Sequence, residues 1–196
     1  MTQGAELARR LTELILRDHR VHEVCASLGP DGVAVGEHLM RVEQANSPSA
    51  AAQVVLDPAY RAIVPAALIV MWRSHGAAFS IPELEQLGAR LTTSGVTDPV
   101  IGALLDCVRG YMHCICGEHQ EALSATEQIS LAVAVGDLEA FVQCAAQRVR
   151  GVAWQRLGDF SLAHRHLARS QDIAESRNLA ARLTSAMDLA SLKWHA

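Results

Sequence analysis

Three glycines, Gly76, Gly117 and Gly158, recur in this chain at one constant step. Each follows an apolar stretch with helical spacing, where a glycine commonly ends a helix because it enters left-handed backbone without strain. A constant period of about 20 to 50 residues is typical of a solenoid, in which each unit buries its apolar face on the next. The repeat therefore predicts helical hairpins stacked side by side.

The same step aligns large and small side chains within the repeats. Trp72, His113 and Trp154 fall in the helix before each glycine, and Gly110 aligns with Gly151. Small residues let the two helices of a hairpin approach closely, and the large ones fill the gap to the neighbouring hairpin. We therefore expect each repeat to be one pair of packed helices.

Composition favours an all-α fold. Half of the 196 residues are hydrophobic but only 4% are aromatic, and alanine and leucine, both good helix formers, supply most of the apolar content. Few β-branched runs occur, which argues against a β-sandwich or barrel. Helix starts are expected at Asp57-Pro58, after Ser80 and at Asp98-Pro99, and the first helix is expected to run to Gly29-Pro30.

The last repeat carries the most specific pattern. It has a small residue, an aromatic three residues later, an apolar-Gly-Asp-aromatic turn, and a further small residue, in the run Gly151-Val-Ala-Trp154-Gln-Arg-Leu157-Gly158-Asp159-Phe160-Ser-Leu-Ala163. This pattern resembles the tetratricopeptide repeat family. The period of about 41 exceeds the usual 34, so the chain is similar to the long-period repeats of bacterial transcriptional activators and related signalling proteins.

The resemblance implies a right-handed α-solenoid of about four hairpins, with eight to ten helices. Residues 57–176 would form the hairpins, residues 1–56 an N-terminal cap or degenerate repeats, and residues 177–196 a capping helix. Because the sequence has no Gly/Ser-rich linker and no low-complexity block, we expect residues 1–196 to form a single domain.

In the family, the first helix of each hairpin lines a concave groove where ligands bind. The resemblance places the following residues on that groove: Arg73, Cys107, Tyr111, Cys114, Arg148, Val152, Gln155 and Arg156. Arg148 and Arg156 suit bidentate binding of a carboxylate. The lysine and asparagine of the family's best-known carboxylate clamp are missing at the matching places, so capture of a C-terminal peptide of that kind is not expected.

These observations predict a non-catalytic binding protein with a regulatory or assembly role. The expected partner is a protein or peptide segment, acidic in character. The formal net charge of -4 does not favour nucleic acid. The motifs G-x-G-x-x-G, GK[ST] and G-x-S-x-G do not occur, so we expect no enzyme, no catalytic residue and no cofactor.

One alternative function is a small-molecule sensor or carrier. In this interpretation the helices enclose an apolar cavity lined by Trp72, Tyr111, His113 and Trp154. A closed pocket with a few convergent polar groups would favour it over a protein-binding groove.

A second alternative is a metal protein or an enzyme built around His113, Cys116 and His119. Imidazole and thiolate are the ligands that zinc prefers. Cys114 and Cys116 lie two residues apart and point to different sides of a helix, so they cannot share one metal. We therefore expect ordinary buried or exposed side chains here and no metal site.

Five cysteines, an odd number, and an N-terminus without an apolar signal core predict reduced thiols in the cytoplasm. The most apolar run, Ala62 to Trp72, is shorter than the roughly 20 residues that span a bilayer, so no membrane association is expected. A homodimer is also expected to be possible, through an apolar stripe made of Leu7, Leu11, Leu14 and Ile15.

Overall fold

A computed structural model describes residues 3–18, 20–129, 134 and 136–179. Helix accounts for 82% of the described residues, and they include no strand. The all-α class that the composition predicts is confirmed.

The chain divides into two compact units, Met1–Asp98 and Pro99–Ala196. Each unit has its own buried apolar side chains. The single domain over residues 1–196 stays a prediction, because it concerns the relation of the two units and not the structure of either.

The described residues of the first unit form short helices. They are α1 (Gln3–Arg17), α2 (Val21–Ala26), α3 (Pro30–Glu43), α4 (Pro48–Val55), α5 (Val64–His75) and α6 (Ile81–Thr93), with 3-10 turns at Pro58–Ile63 and Gly76–Ala78. Two of the predicted starts are capped by side chains. Asp57 accepts a hydrogen bond from the N–H of Ala59 at 3.0 Å. Ser80 and Glu83 form a reciprocal capping box at the start of α6.

The core of the first unit surrounds α5, which packs against α1, α3 and α4. Most of the α5 side chains are buried. The apolar stripe of α1 belongs to this core, since Leu11 and Ile15 are fully buried while Leu7 and Leu14 are partly covered. The buried part of the stripe therefore packs within the unit, and the homodimer stays a prediction.

The first helix is shorter than the sequence predicts. It ends at Arg17, and a separate helix, α2, runs up to the loop at Gly29. The carboxylate of Asp18 accepts a hydrogen bond from the N–H of Arg20 at 2.9 Å, a local turn that competes with continued helix. Gly29 has a positive φ of 82° and precedes Pro30 at the start of α3, so the predicted break there is present.

The glycine at position 76 is unlike the other two of the repeat. Its φ is -53°, and it begins a 3-10 turn instead of ending a helix in left-handed backbone. A Cβ at this position would come within 2.4 Å of Trp72 Cδ1, so the glycine makes room for the indole. Helix α6 then packs on α4. The first predicted hairpin is thus not a copy of the later ones.

The second unit contains two hairpins in its described residues. The first pairs α7 (Pro99–Cys116) with α8 (His119–Glu127), and the second pairs α9 (Asp137–Arg156) with α10 (Phe160–Ser176). Gly117 and Gly158 join the helices with φ values of 81° and 86°, as the constant step of the repeat predicts.

The backbone hydrogen bonds around Gly117 and Gly158 are also equivalent. The N–H of Glu118 bonds the carbonyl of His113 at 2.9 Å, and the N–H of Asp159 bonds the carbonyl of Trp154 at 3.0 Å. Both are the 6→1 bond of a Schellman motif. The two hairpins therefore turn in the same way.

The close contacts inside the hairpins follow the same step. A Cβ on Gly110 would lie 3.0 Å from Thr126 Cγ2, and a Cβ on Gly151 would lie 2.5 Å from Leu167 Cγ. Thr126 and Leu167 are themselves separated by the step that relates Gly110 to Gly151. Glycine at both positions lets the second helix of each hairpin lie close to the first.

Helices α7 and α9 run parallel. Cys107 Sγ contacts the carbonyl oxygen of Val142 at 3.5 Å, and Cys114 Sγ contacts that of Val149 at 3.8 Å. In both contacts the two residues are 35 positions apart in sequence. Moving seven residues toward the C-terminus of α7 therefore moves the contact seven residues toward the C-terminus of α9. The first helices of the two hairpins therefore lie side by side and point the same way.

Among the described residues, no single helix has the length and apolar composition needed to cross a membrane. The segments Pro48–Val55 and Pro58–His75 meet those criteria only as a pair, which is bent by 92°. The predicted capping helix over residues 177–196 lies outside the described residues beyond Leu179.

Candidate binding face of the second unit

The seam between α7 and α9 brings several predicted groove residues together. Tyr111 and Cys114 are partly buried and pack against a small apolar cluster of Ala122, Val149 and Ala153. The cluster takes its side chains from α8 and α9, so it fixes the α7 residues relative to the second hairpin. Tyr111 and Cys114 therefore pack against residues of both hairpins.

Cys114 of α7 lies in the seam against α9. Burial raises the pKa of its thiol to about 11, and the positive charges of Arg148 and Arg156 oppose that rise. Arg148 and Arg156 both belong to α9, the helix that Cys114 contacts through the carbonyl oxygen of Val149.

The α9 residues of the predicted groove lie on one face of that helix. Arg148, Val152, Gln155 and Arg156 follow the spacing of four, seven and eight residues that places side chains above one another. Arg148, Val152 and Gln155 are partly buried, while Arg156 is exposed. At 1.5 Å per residue, the two arginines are about 12 Å apart along the axis.

Cys107 does not contribute surface to this face. Its side chain is completely buried, and burial raises the pKa of the thiol far above its ordinary value. Its sulfur contacts Val142 on α9. The residue acts as a small apolar spacer between the parallel helices, and a partner has no access to it.

Arg73 lies in the first unit, on the last turn of α5, and its place on the groove stays a prediction. Burial lowers the pKa of its guanidinium group, and Asp18 acts in the opposite direction.

The residues of the metal alternative have separate contacts. His113 Nδ1 lies 2.7 Å from a carboxylate oxygen of Glu118, whereas Cys116 is exposed. His119 Nδ1 is buried and has no hydrogen-bond partner in the described part of the chain. Within that same part, no three His, Cys, Asp or Glu side chains are grouped as metal ligands.

The aromatic residues of the cavity alternative are divided between the units, with Trp72 in the first and the other three in the second. The enclosed cavity stays a prediction. A cleft of about 240 Å³ does occur in the first unit, between α2 and α3, and its lining includes Cys25, Val33 and Met40. None of the four aromatic residues lines that cleft.

The pairing of Cys114 with Val149 could not be read from the sequence. The repeat relates equivalent positions by its constant step, but neighbouring helices touch at a shorter offset of 35. That offset depends on how the helices slide along each other, for which the sequence holds no local signal. The arginine pair of α9, in contrast, is visible in the sequence as an eight-residue spacing.

Comparisons with protein-family models, with curated proteins and with solved structures find no match to this chain.

Proposed function

We propose that this protein is a non-catalytic binding module whose two hairpins of the second unit are tandem tetratricopeptide-like repeats. The observation that carries the proposal is the recurrence, one repeat step apart, of the left-handed corner glycines and of the close glycine contacts inside each hairpin. Parallel first helices, as in α7 and α9, are what a right-handed stack of hairpins requires.

The groove formed by α7 and α9 binds an acidic segment of a protein or peptide. Arg148 and Arg156 lie about 12 Å apart along the axis of α9, and the planar guanidinium group is the side chain best suited to bind a carboxylate. In an extended chain, which rises about 3.3 Å per residue, carboxylates three or four positions apart match that distance. Between them, Val152 and Tyr111 offer apolar surface.

Binding without catalysis agrees with the state of the groove's thiol. A pKa of about 11 keeps Cys114 protonated near neutral pH, and the thiol form is a poor nucleophile. Packed helices also fix the backbone that carries the arginines before a partner arrives, which lowers the entropic cost of association.

The test is fluorescence anisotropy with a panel of labelled peptides that carry Glu or Asp pairs three or four residues apart, with basic peptides of equal length beside them. The double variant Arg148→Ala, Arg156→Ala is compared with Arg165→Ala, Arg169→Ala. Arg165 and Arg169 are exposed on α10, outside the proposed groove.

We expect acidic peptides to bind the wild-type protein and the α10 variant alike, with affinity falling as salt rises. Loss of two charged hydrogen-bonding groups should weaken binding by the α9 variant at least about tenfold. If both double variants weakened binding equally, the loss of affinity would come from the change in net charge and not from the groove. Binding of basic peptides alone would refute the acidic partner.

A further inference from the structure

The cleft between α2 and α3 has an apolar floor. Its volume is about 240 Å³, which is smaller than the roughly 300–1,000 Å³ of pockets that hold drug-sized molecules. The buried residues Cys25 and Gly36 line it, and the two helices touch there, since a Cβ on Gly36 would come 2.8 Å from Cys25 Cβ. Met40 and Val33 add apolar surface, and Val33 is 50% exposed. The cleft can therefore take a small ligand with an apolar part.

The other end of the cleft is polar. Arg41 and Gln44 line it together with His22, and all three side chains are exposed. Because α2 and α3 form a hairpin, these residues lie far from the connecting loop, whereas Val33 lies near it. Glu37 lies between, about one helical turn from Val33 and from Arg41. Along α3 the cleft thus presents apolar surface, then a carboxylate, then a guanidinium group.

A buried histidine holds the guanidinium group of Arg41. Nη2 of Arg41 lies 2.9 Å from Nδ1 of His38, and the ring of His38 stacks on Tyr60 with centroids 3.8 Å apart. A guanidinium group can only donate hydrogen bonds, so Nδ1 is the acceptor and the ring is neutral. Burial, together with the charge of Arg41, lowers the pKa of His38 and favours this form. The ring therefore positions Arg41 without compensating its charge.

Glu37 and Arg41 do not pair with each other. Their spacing of four residues is the one at which opposite charges on a helix usually meet. Among the described residues, however, the ion pairs include neither of them. Both charges therefore remain for a ligand that brings the opposite pair. In an amino acid the α-carbon carries the ammonium group between the carboxylate and the side chain, which is the order that the cleft presents.

We propose that the cleft between α2 and α3 binds a free α-amino acid with an apolar side chain. The carboxylate of the ligand binds Arg41, its ammonium group binds Glu37, and its side chain covers Val33. The site lies in the first unit and is independent of the groove of α7 and α9, so neither proposal rests on the other.

The experiment titrates the full, ¹⁵N-labelled chain with L-leucine and follows the amide chemical shifts of α2 and α3. Two analogues are titrated beside it: isopentylamine, which lacks the carboxylate, and isocaproate, which lacks the amine. We expect saturable shifts with leucine and a Kd at least about tenfold higher for each analogue, because each loses one charged hydrogen-bonding group. Leucine that binds no better than both analogues would overturn the proposal.

Charge variants assign the two ends of the ligand. Arg41→Gln should bind leucine only as weakly as isopentylamine binds the wild type, and Glu37→Gln only as weakly as isocaproate does. The matched controls are Arg90→Gln and Glu85→Gln, which change exposed residues of α6 in the same unit and should keep the wild-type Kd. Equal weakening by the controls would refute the assignment.

A shape variant tests the cleft without changing any charge. Ala26 lines the cleft, whereas Ala34 is exposed on α3 outside the lining. Ala26→Phe should fill the space and abolish leucine binding, and Ala34→Phe should not. Should Arg41→Gln fail to fold, Glu37→Gln and Ala26→Phe decide, and an unchanged Kd in both counts against the site.

Discussion

Gly151 lies so close to Leu167 that a β-carbon at position 151 would come 2.5 Å from Leu167 Cγ and 3.2 Å from its backbone nitrogen. The contact joins α9 to α10. The hairpin of α7 and α8 has a looser equivalent of this contact, since a β-carbon on Gly110 would lie 3.0 Å from Thr126 Cγ2. The two hairpins thus have glycine at equivalent positions, but their helices approach each other to different distances.

The first prediction is a graded response to alanine at three helical glycines. Gly151→Ala should lower the free energy of unfolding by about 1–3 kcal/mol through overpacking, and Gly110→Ala by less. Gly102→Ala is the control, since nothing lies within 4 Å of its β-carbon position. It should gain up to about 1 kcal/mol from helix propensity. Urea unfolding of the three variants measures the order, and a loss at Gly102 as large as at Gly151 would contradict it.

The second prediction concerns the corner glycines. Gly117→Ala and Gly158→Ala should each cost about 1–2 kcal/mol, because both φ values lie in the left-handed region and nothing else crowds the sites. Asparagine tolerates this backbone better, so Gly117→Asn and Gly158→Asn should cost less. Thermal unfolding of the four variants tests this, and equal losses for alanine and asparagine would argue against a backbone origin.

The third prediction concerns thiol reactivity. Cys116 is exposed, whereas Cys25, Cys107 and Cys144 are buried. Cys114 is partly buried with a pKa raised to about 11, so little of it is thiolate near neutral pH. In the native protein a disulfide reagent such as DTNB should modify one thiol quickly, and Cys116→Ser should abolish that phase. All five cysteines should react in denaturant; a fast phase that survives Cys116→Ser would contradict the burial of the rest.

The fourth prediction is a pH dependence from His166, whose Nδ1 lies 2.6 Å from the side-chain oxygen of Gln147. Burial lowers the pKa of His166, and the charges of Arg150 and Arg165 act in the same direction. Above its ordinary pKa of about 6.5 the ring is neutral in both folded and unfolded chains, and its full contribution to stability is present. As the pH falls below that value, the unfolded chain binds the proton first, so the free energy of unfolding decreases until the pH passes the lowered pKa.

Denaturant titrations at about pH 7.5 and about pH 5.5 measure this change on either side of the ordinary histidine pKa. His166→Asn should lose less stability than the wild type between the two conditions. His164→Asn is the matched control, since His164 is exposed on the same helix, and it should behave as the wild type does. A wild-type slope that survives in His166→Asn would assign the effect to other groups.

Local sequence patterns predicted the helix starts at Asp57 and Ser80 and the two later corners. The caps at Asp57 and Ser80 and the left-handed glycines at 117 and 158 depend on neighbouring residues alone, so a linear pattern contains them. The spacing that places Arg148 and Arg156 on one face of α9 is local in the same sense. Helix geometry over a few turns needs no knowledge of what the helix packs against.

Packing between distant segments settles which of these features reach the surface and which helices touch. Gly76 makes room for the indole of Trp72, and Leu11 and Ile15 of the α1 stripe are buried within their own unit. Cys107 is buried against Val142. The physical reason is that burial and helix offset arise from close packing between segments distant in sequence. Several registers satisfy the same apolar pattern, and side-chain volumes in the assembled core select one of them.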